Sequence, residues 1–318
     1  MNLCQGTSLS QTLCDGFGGS TSSPAAKSSV VPEVEVTAGP IEYGDSGGEG
    51  RPIVFIGGLP HDESLWDGVI AELSPQFRCL TPVLPLGAQR KALLRDADLS
   101  LPGLSRIVTD FLERLDLNDA VVCFNDWGGA QTMVSHGGTD RVGAFVLVSC
   151  ETADNYPPGI AGRIAALSGF MPGGFGVMRF ALASPTLRRM PFTYGRMSKR
   201  GVSDELMHRW LQPLKRPEIR RDTGKYVRDV RHGRCEIQAA TPKLRSFERP
   251  VLVVWDEEGT MMPNSEGRRL ADSFPNSTYV ELPDCYTLIP IDQPQALACE
   301  IKQFAGRVTL LADNRLRN

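Results

Sequence analysis

The stretch with the most chemical promise is Val121–Gln131, VVCFNDWGGAQ. A short apolar run stops at Asn-Asp-Trp, and a glycine pair then opens a run of helical character. A carboxylate between a strand and a helix can do one of two things. It can cap the helix, whose first N–H groups favour negative charge. It can also stand on a sharp turn as a nucleophile or proton carrier. Asp126 is the candidate for either role. The other reactive residue types are scattered. The four histidines are His61, His136, His208 and His232. The eight cysteines, at 4, 14, 79, 123, 150, 235, 285 and 299, form no CxxC and no Cys/His cluster. No metal and no other cofactor is expected.

Presenting Asp126 requires strands and helices around it. RPIVFIGGLP and FRCLTPVLP have the form of buried strands, as do DAVVCF and RVGAFVLVSC. Between them, DESLWDGVIAEL and LPGLSRIVTDFLERLDL carry apolar residues at helical spacing, with Asp62 as an N-cap. Such alternation predicts a mostly parallel sheet covered on both faces. It lapses over 151–240, a stretch rich in Pro, Gly, Met and Arg with helical patches, and then resumes through RPVLVVW, NSEGRRLADSF and STYVELP. The expected organisation is a tail over 1–30, an α/β core over 31–150 and 241–318, and a helical cap over 151–240.

The chain has 318 residues, 41% hydrophobic and 22% charged, with a net charge of −3. That balance carries no basic footprint for nucleic acid. No apolar run reaches the roughly 18–20 residues that cross a bilayer, so no membrane partner is expected. The Ser/Gly-rich start lacks the marks of a secretory signal. Scattered cysteines inside apolar runs fit a reducing cytoplasm.

Four motifs in order, VFIGGLP, FNDWGG, VLVVWDEEGTMMP and ELPDCYTLIPIDQP, resemble the α/β-hydrolase superfamily over about residues 33–310. The resemblance implies the α/β-hydrolase fold, with Asp126 at the nucleophile position of the G-x-Nu-x-G turn, in which Phe124 replaces the first glycine. Asp followed by Trp is similar to the haloalkane dehalogenase and epoxide hydrolase branch, in which the carboxylate forms an alkyl ester. Trp127 would then help to hold a leaving halide. The backbone N–H groups of Leu59 and Trp127 would point at developing negative charge. NDWGG and CETADNYPP also resemble a group of bacterial α/β-hydrolase-like proteins.

Three departures qualify the resemblance. Thr287 stands where the family has its histidine base, and a hydroxyl cannot accept a proton near neutral pH. Gly259 stands where the late-strand acid belongs, with Asp256, Glu257 and Glu258 just before it. Leu59 replaces an asparagine that many dehalogenases use as a second halide ligand. Some dehalogenases place the acid after the next strand, which here is Glu151. His61 lies one residue past the oxyanion loop, with a surface position expected.

Asp126 and Glu151 are thus the catalytic candidates, with Leu59, Trp127, Thr287 and His61 as substrate- or anion-binding candidates. Two carboxyls in an apolar site split their pKa values and can carry a shared proton. The expected function is an epoxide hydrolase- or dehalogenase-like enzyme without histidine, acting on a small apolar molecule. The alternatives are a cyclase, dehydratase or isomerase on the same fold, and an inactive ligand-binding protein. A serine-type esterase is disfavoured by Asp at 126. Phe170, Met171, Phe175 and Met178 suggest an apolar ligand under the cap. A homodimer is allowed.

Overall fold

A computed structural model describes residues 31–316; the expected tail, 1–30, lies outside them. In chain order the elements are β1 (Glu33–Val36), β2 (Gly39–Asp45), β3 (Pro52–Ile56), α1 (Asp67–Leu73), β4 (Arg78–Pro82), α2 (Leu101–Arg114), β5 (Ala120–Asp126), α3 (Gly129–Ser135) and β6 (Val142–Cys150). Six helices follow: α4 (Gly159–Ser168), α5 (Gly174–Ala183), α6 (Pro185–Arg188), α7 (Asp204–Leu211), α8 (Pro217–Arg228) and α9 (Val230–Ala240). The chain closes with β7 (Val251–Asp256), α10 (Asn264–Asp272), β8 (Ser277–Leu282), α11 (Ile289–Asp292) and α12 (Pro294–Leu316).

The strands form one sheet in the order β1-β2-β4-β3-β5-β6-β7-β8. The β1–β2 and β2–β4 pairs are antiparallel and all the others parallel. Burial explains the apolar runs in the sequence. Every residue of β5, β6 and β7 is buried, because helices cover both faces of the central strands. On α2, Leu104, Ile107, Val108, Phe111 and Leu112 turn inward, and Ser100 caps the first turn by accepting from Gly103 N–H. Asp62 does cap a turn as expected, but the turn it caps is a 3-10 helix, Glu63–Trp66, that leads into α1. Among the described residues no helix is long and apolar enough to cross a membrane.

Buried carboxylates tie the helices that follow β6 to the rest of the fold. Asp62 accepts from Arg209 Nε at 2.6 Å and Trp210 Nε1 at 3.0 Å, both on α7. Asp222 on α8 accepts from Leu93 N–H at 2.9 Å. Asp292, fully buried, accepts from Ser198 Oγ at 2.6 Å and from the N–H groups of Lys199, Arg200 and Tyr286 at 2.8, 3.0 and 3.0 Å. One side chain therefore fixes the segment after α6 against the loop before α11. A charged acceptor with several buried donors is costly to remove, since each donor loses its partner away from water. Asp292→Ala is expected to lower stability by roughly 2–4 kcal/mol in urea unfolding. A change within about 0.5 kcal/mol would remove Asp292 from this role.

Candidate active site

β5 ends in a turn that only a strained residue can make. Asp126 has φ 67°, and the Trp127 N–H donates to the Asn125 carbonyl at 2.8 Å. This is a three-residue γ-turn with positive φ, a rare and strained conformation for a residue with a side chain. It reverses the chain at once, so that α3 starts at Gly129. Glycines clear the space around the turn. A Cβ on Gly58 would meet Asp126 Oδ2 at 2.2 Å, and one on Gly129 would strike the Trp127 ring at 2.3 Å. The loop after β3 therefore lies directly against the Asp126 carboxyl.

Glu151 follows β6, and the strand register places Cys150 opposite Asp126. The Glu151 N–H donates to the Asp126 carbonyl at 3.2 Å, and the Gly128 N–H donates to Glu151 Oε2 at 3.3 Å. Gln131 Nε2 holds the Glu151 carbonyl at 2.7 Å. Asp126 and Glu151 are 8% and 7% exposed, and no cation is among the groups that perturb them. Burial pushes the Asp126 carboxyl up to about 7. Burial, and then the charge of Asp126, holds Glu151 well above the usual carboxylate range. Both carboxyls are therefore shifted toward the protonated form, Glu151 by the neighbouring charge as well as by burial.

A cavity of about 130 Å³ opens over the pair. An engineered cavity of about 150 Å³ in another protein holds benzene, which sets the scale of ligand that fits. Leu59, Ile164, Met178, Leu182, Val227 and Met261 give it a largely apolar wall. Its polar residues include Asp126, Glu151, Tyr156, Tyr194 and Tyr226. The Tyr226 hydroxyl faces Glu151 and Tyr156. The Tyr194 hydroxyl contacts His61 Nε2 at 3.0 Å and lies 3.4 Å from the Leu59 carbonyl. Trp127 also lines the cavity, and its buried indole N–H has no partner among the described residues. Among the described residues no group of His, Cys, Asp or Glu is arranged to hold a metal ion.

The structure brings together Asp126, Glu151, Trp127 and Leu59, all in the cavity wall. Two other candidates stand elsewhere. His61, expected near the surface, is 4% exposed, packed on Trp210 and screened from the cavity by Tyr194. Burial lowers its pKa to about 3, so it is neutral. Thr287 is fully buried and is not in the cavity wall; its hydroxyl has no partner among the described residues, and its carbonyl accepts from Asn125 Nδ2 at 2.8 Å. His136, His208 and His232 are exposed. Glu258 forms an ion pair with Lys199 at 2.6 Å, on the exterior. Asp256 fills the space that a side chain at 259 would take: a Cβ on Gly259 would lie 1.6 Å from Asp256 Oδ1. Of the four apolar residues expected to meet a ligand, Met178 lines the cavity, Phe175 is buried away from it, and Phe170 and Met171 are exposed. Cys123 and Cys150 are buried, and burial pushes their thiols up.

Sequence reasoning missed the three tyrosines and Asn125. Tyr156 and Tyr194 lie outside the α-helices, where no spacing signals which way a ring turns; Tyr226 had a signal, since it continues the buried stripe of Ile219, Asp222 and Thr223 on α8. Asn125 had a signal, since an amide buried in an apolar strand must find partners; it donates to the carbonyls of Val148 and Thr287.

A sharp turn between a central parallel strand and a helix fits the hydrolase fold class, and the comparisons agree on the fold. Residues 53–300 match the family model described as alpha/beta hydrolase family, and the chain belongs to that family. Haloalkane dehalogenase 2 of Mycobacterium tuberculosis is 24% identical over 290 residues, covering 84% of this chain and 92% of that protein. The haloalkane dehalogenase DbeA from Bradyrhizobium elkani aligns with a TM-score of 0.72 and 15% identity, covering 89% of this chain and 99% of that one. A thermophilic esterase from Thermogutta terrifontis aligns at 0.64 and 19% identity, covering 88% and 99%. Likeness to both a dehalogenase and an esterase marks a shared fold, so the chemistry rests on the site itself.

The raised carboxyl makes a stability prediction. In the unfolded chain Asp126 ionises near 3.8, and in the folded protein near 7. Its contribution to stability is therefore full below about pH 4 and is lost as pH rises through 7. Asp126→Asn should gain on the wild type across that window, reaching about 2–4 kcal/mol by pH 8. Equal stability of the two at pH 8 would mean that Asp126 ionises without cost.

Proposed function

We propose that the protein opens small apolar epoxides, with Asp126 as nucleophile and Glu151 as acid and then base. The observation that carries this reading is geometric: the Glu151 carboxyl stands beside Asp126, its pKa held well above the usual range by burial and by the Asp126 charge, under a cavity with no imidazole among the described residues of its wall. The ionised Asp126 attacks an epoxide carbon, the C–O bond breaks, and the alkoxide takes the Glu151 proton. A hydroxyalkyl ester on Asp126 and an ionised Glu151 result. Glu151 then removes a proton from water, whose oxygen adds to Cγ of Asp126. The tetrahedral adduct expels the alkoxide, which leaves with the proton of the new hydroxyl. Diol, ionised Asp126 and protonated Glu151 are regenerated, and every proton is accounted for.

The same logic separates epoxides from haloalkanes. A halide leaves without a proton, so Glu151 stays protonated and no base is present for the second step. Leu59 offers no side-chain donor to a halide, which leaves the buried Trp127 Nε1, without a partner among the described residues, as the indole donor of the site. The curated relative named above is a haloalkane dehalogenase, which supports attack on a carbon electrophile, while the missing histidine argues against rapid turnover of halides. The tyrosine hydroxyls supply further donors to the opening oxygen.

A panel of small epoxides and haloalkanes, followed by product analysis and intact-protein mass, tests the reading. Epoxides should give diol over many turnovers. Haloalkanes should give one alkyl adduct per chain and then stall. Glu151→Gln should open epoxides roughly 10²–10³-fold more slowly and accumulate the ester, and Asp126→Asn should do neither. Sustained halide release, or indifference to every epoxide, would overturn it.

A further inference from the structure

Outside the cavity, the molecule concentrates its exposed apolar side chains in one segment. Nine of the eleven exposed large apolar side chains among the described residues lie within 160–192. On α4, Ile160, Ile164 and Leu167 recur at helical spacing and are 57%, 41% and 56% exposed. On α5, Val177 and Phe180 are each 69% exposed, and α4 packs on α5. Two members of the group, Ile164 and Phe192, also line the cavity, so the apolar surface runs into its mouth.

The charge of this segment is as one-sided as its polarity. Residues 155–203 contain seven basic residues and no Asp or Glu, in a chain whose net charge is −3. Arg188, Lys199 and Arg200 are paired with Asp204, Glu258 and Asp284. Arg163, Arg179, Arg189 and Arg196 form no ion pair among the described residues.

We propose that α4 and α5 dock on an anionic lipid bilayer, with their apolar side chains in the headgroup–acyl boundary and the free arginines on lipid phosphates. Exposed apolar helices flanked by uncompensated basic residues match that surface in both respects. A second copy of the chain fits worse. A two-fold interface places the same patch on both partners, so the arginines would face one another with no acid between them. The expectation of no membrane partner came from the lack of a spanning run, and docking on a surface needs none. The inference is independent of what Asp126 does.

Co-sedimentation of the full chain with vesicles tests it, using phosphatidylcholine alone and phosphatidylcholine mixed with phosphatidylserine. The protein should partition at least ten-fold more strongly onto the mixed vesicles, and less as salt rises. Arg163→Gln and Arg179→Gln should each weaken that binding about five-fold, the equivalent of about 1 kcal/mol per charge. Val177→Ser with Phe180→Ser should weaken it on both vesicle types. These side chains stand outside the cavity wall, so epoxide turnover in solution should not change. Equal retention on the two vesicle types, or none, would overturn the proposal. So would a dimer in sedimentation velocity that Val177→Ser with Phe180→Ser dissociates, since a second copy would then own the face.

Discussion

Two carboxyls buried side by side, with no cation among the described residues to balance them, are the constraint on which the site depends. Water would stabilise both charges, and the apolar cavity does not. Burial raises both pKa values, and the Asp126 charge raises that of Glu151 further: Asp126 stands at about 7 and Glu151 well above the usual carboxylate range. The strained γ-turn, the glycines around it and the strand register all serve to hold the two groups together. Such an arrangement is unfavourable for stability and survives because an all-buried sheet core supports it.

The helices between β6 and β7 complete this arrangement. They bring tyrosine rings and aliphatic side chains over the carboxyls, and Asp62, Asp222 and Asp292 hold them in place. The same segment faces outward with a surface unlike the rest of the molecule. Cavity and surface patch are thus two sides of one structural unit, and the cavity mouth lies where they meet.

The fold was legible because its signals are local. β5, β6 and β7 appear as apolar runs since both of their faces are covered, and α2 shows its buried stripe. Asp126 was legible because a strand, an acid and two glycines force a sharp turn. Glu151 followed from the resemblance, since some dehalogenases place their acid after the neighbouring strand. What failed depends on distant parts of the chain. The position of His61 in its loop was correct, but nothing local reveals that Tyr194 and Trp210, from beyond β6, would cover it. Thr287 was placed in the right loop, yet Asn125 draws its backbone inward and the side chain misses the cavity. Tyr156 and Tyr194 escaped notice for the same reason.

The most direct test of the central claim is a single turnover of a small epoxide in isotopically labelled water, with enzyme in excess. If Asp126 forms an ester that Glu151-activated water cleaves at Cγ, the label enters the Asp126 carboxyl and the first diol released carries none. Label in that first diol would mean that water attacks the epoxide directly, and Asp126 would then be a base and not a nucleophile.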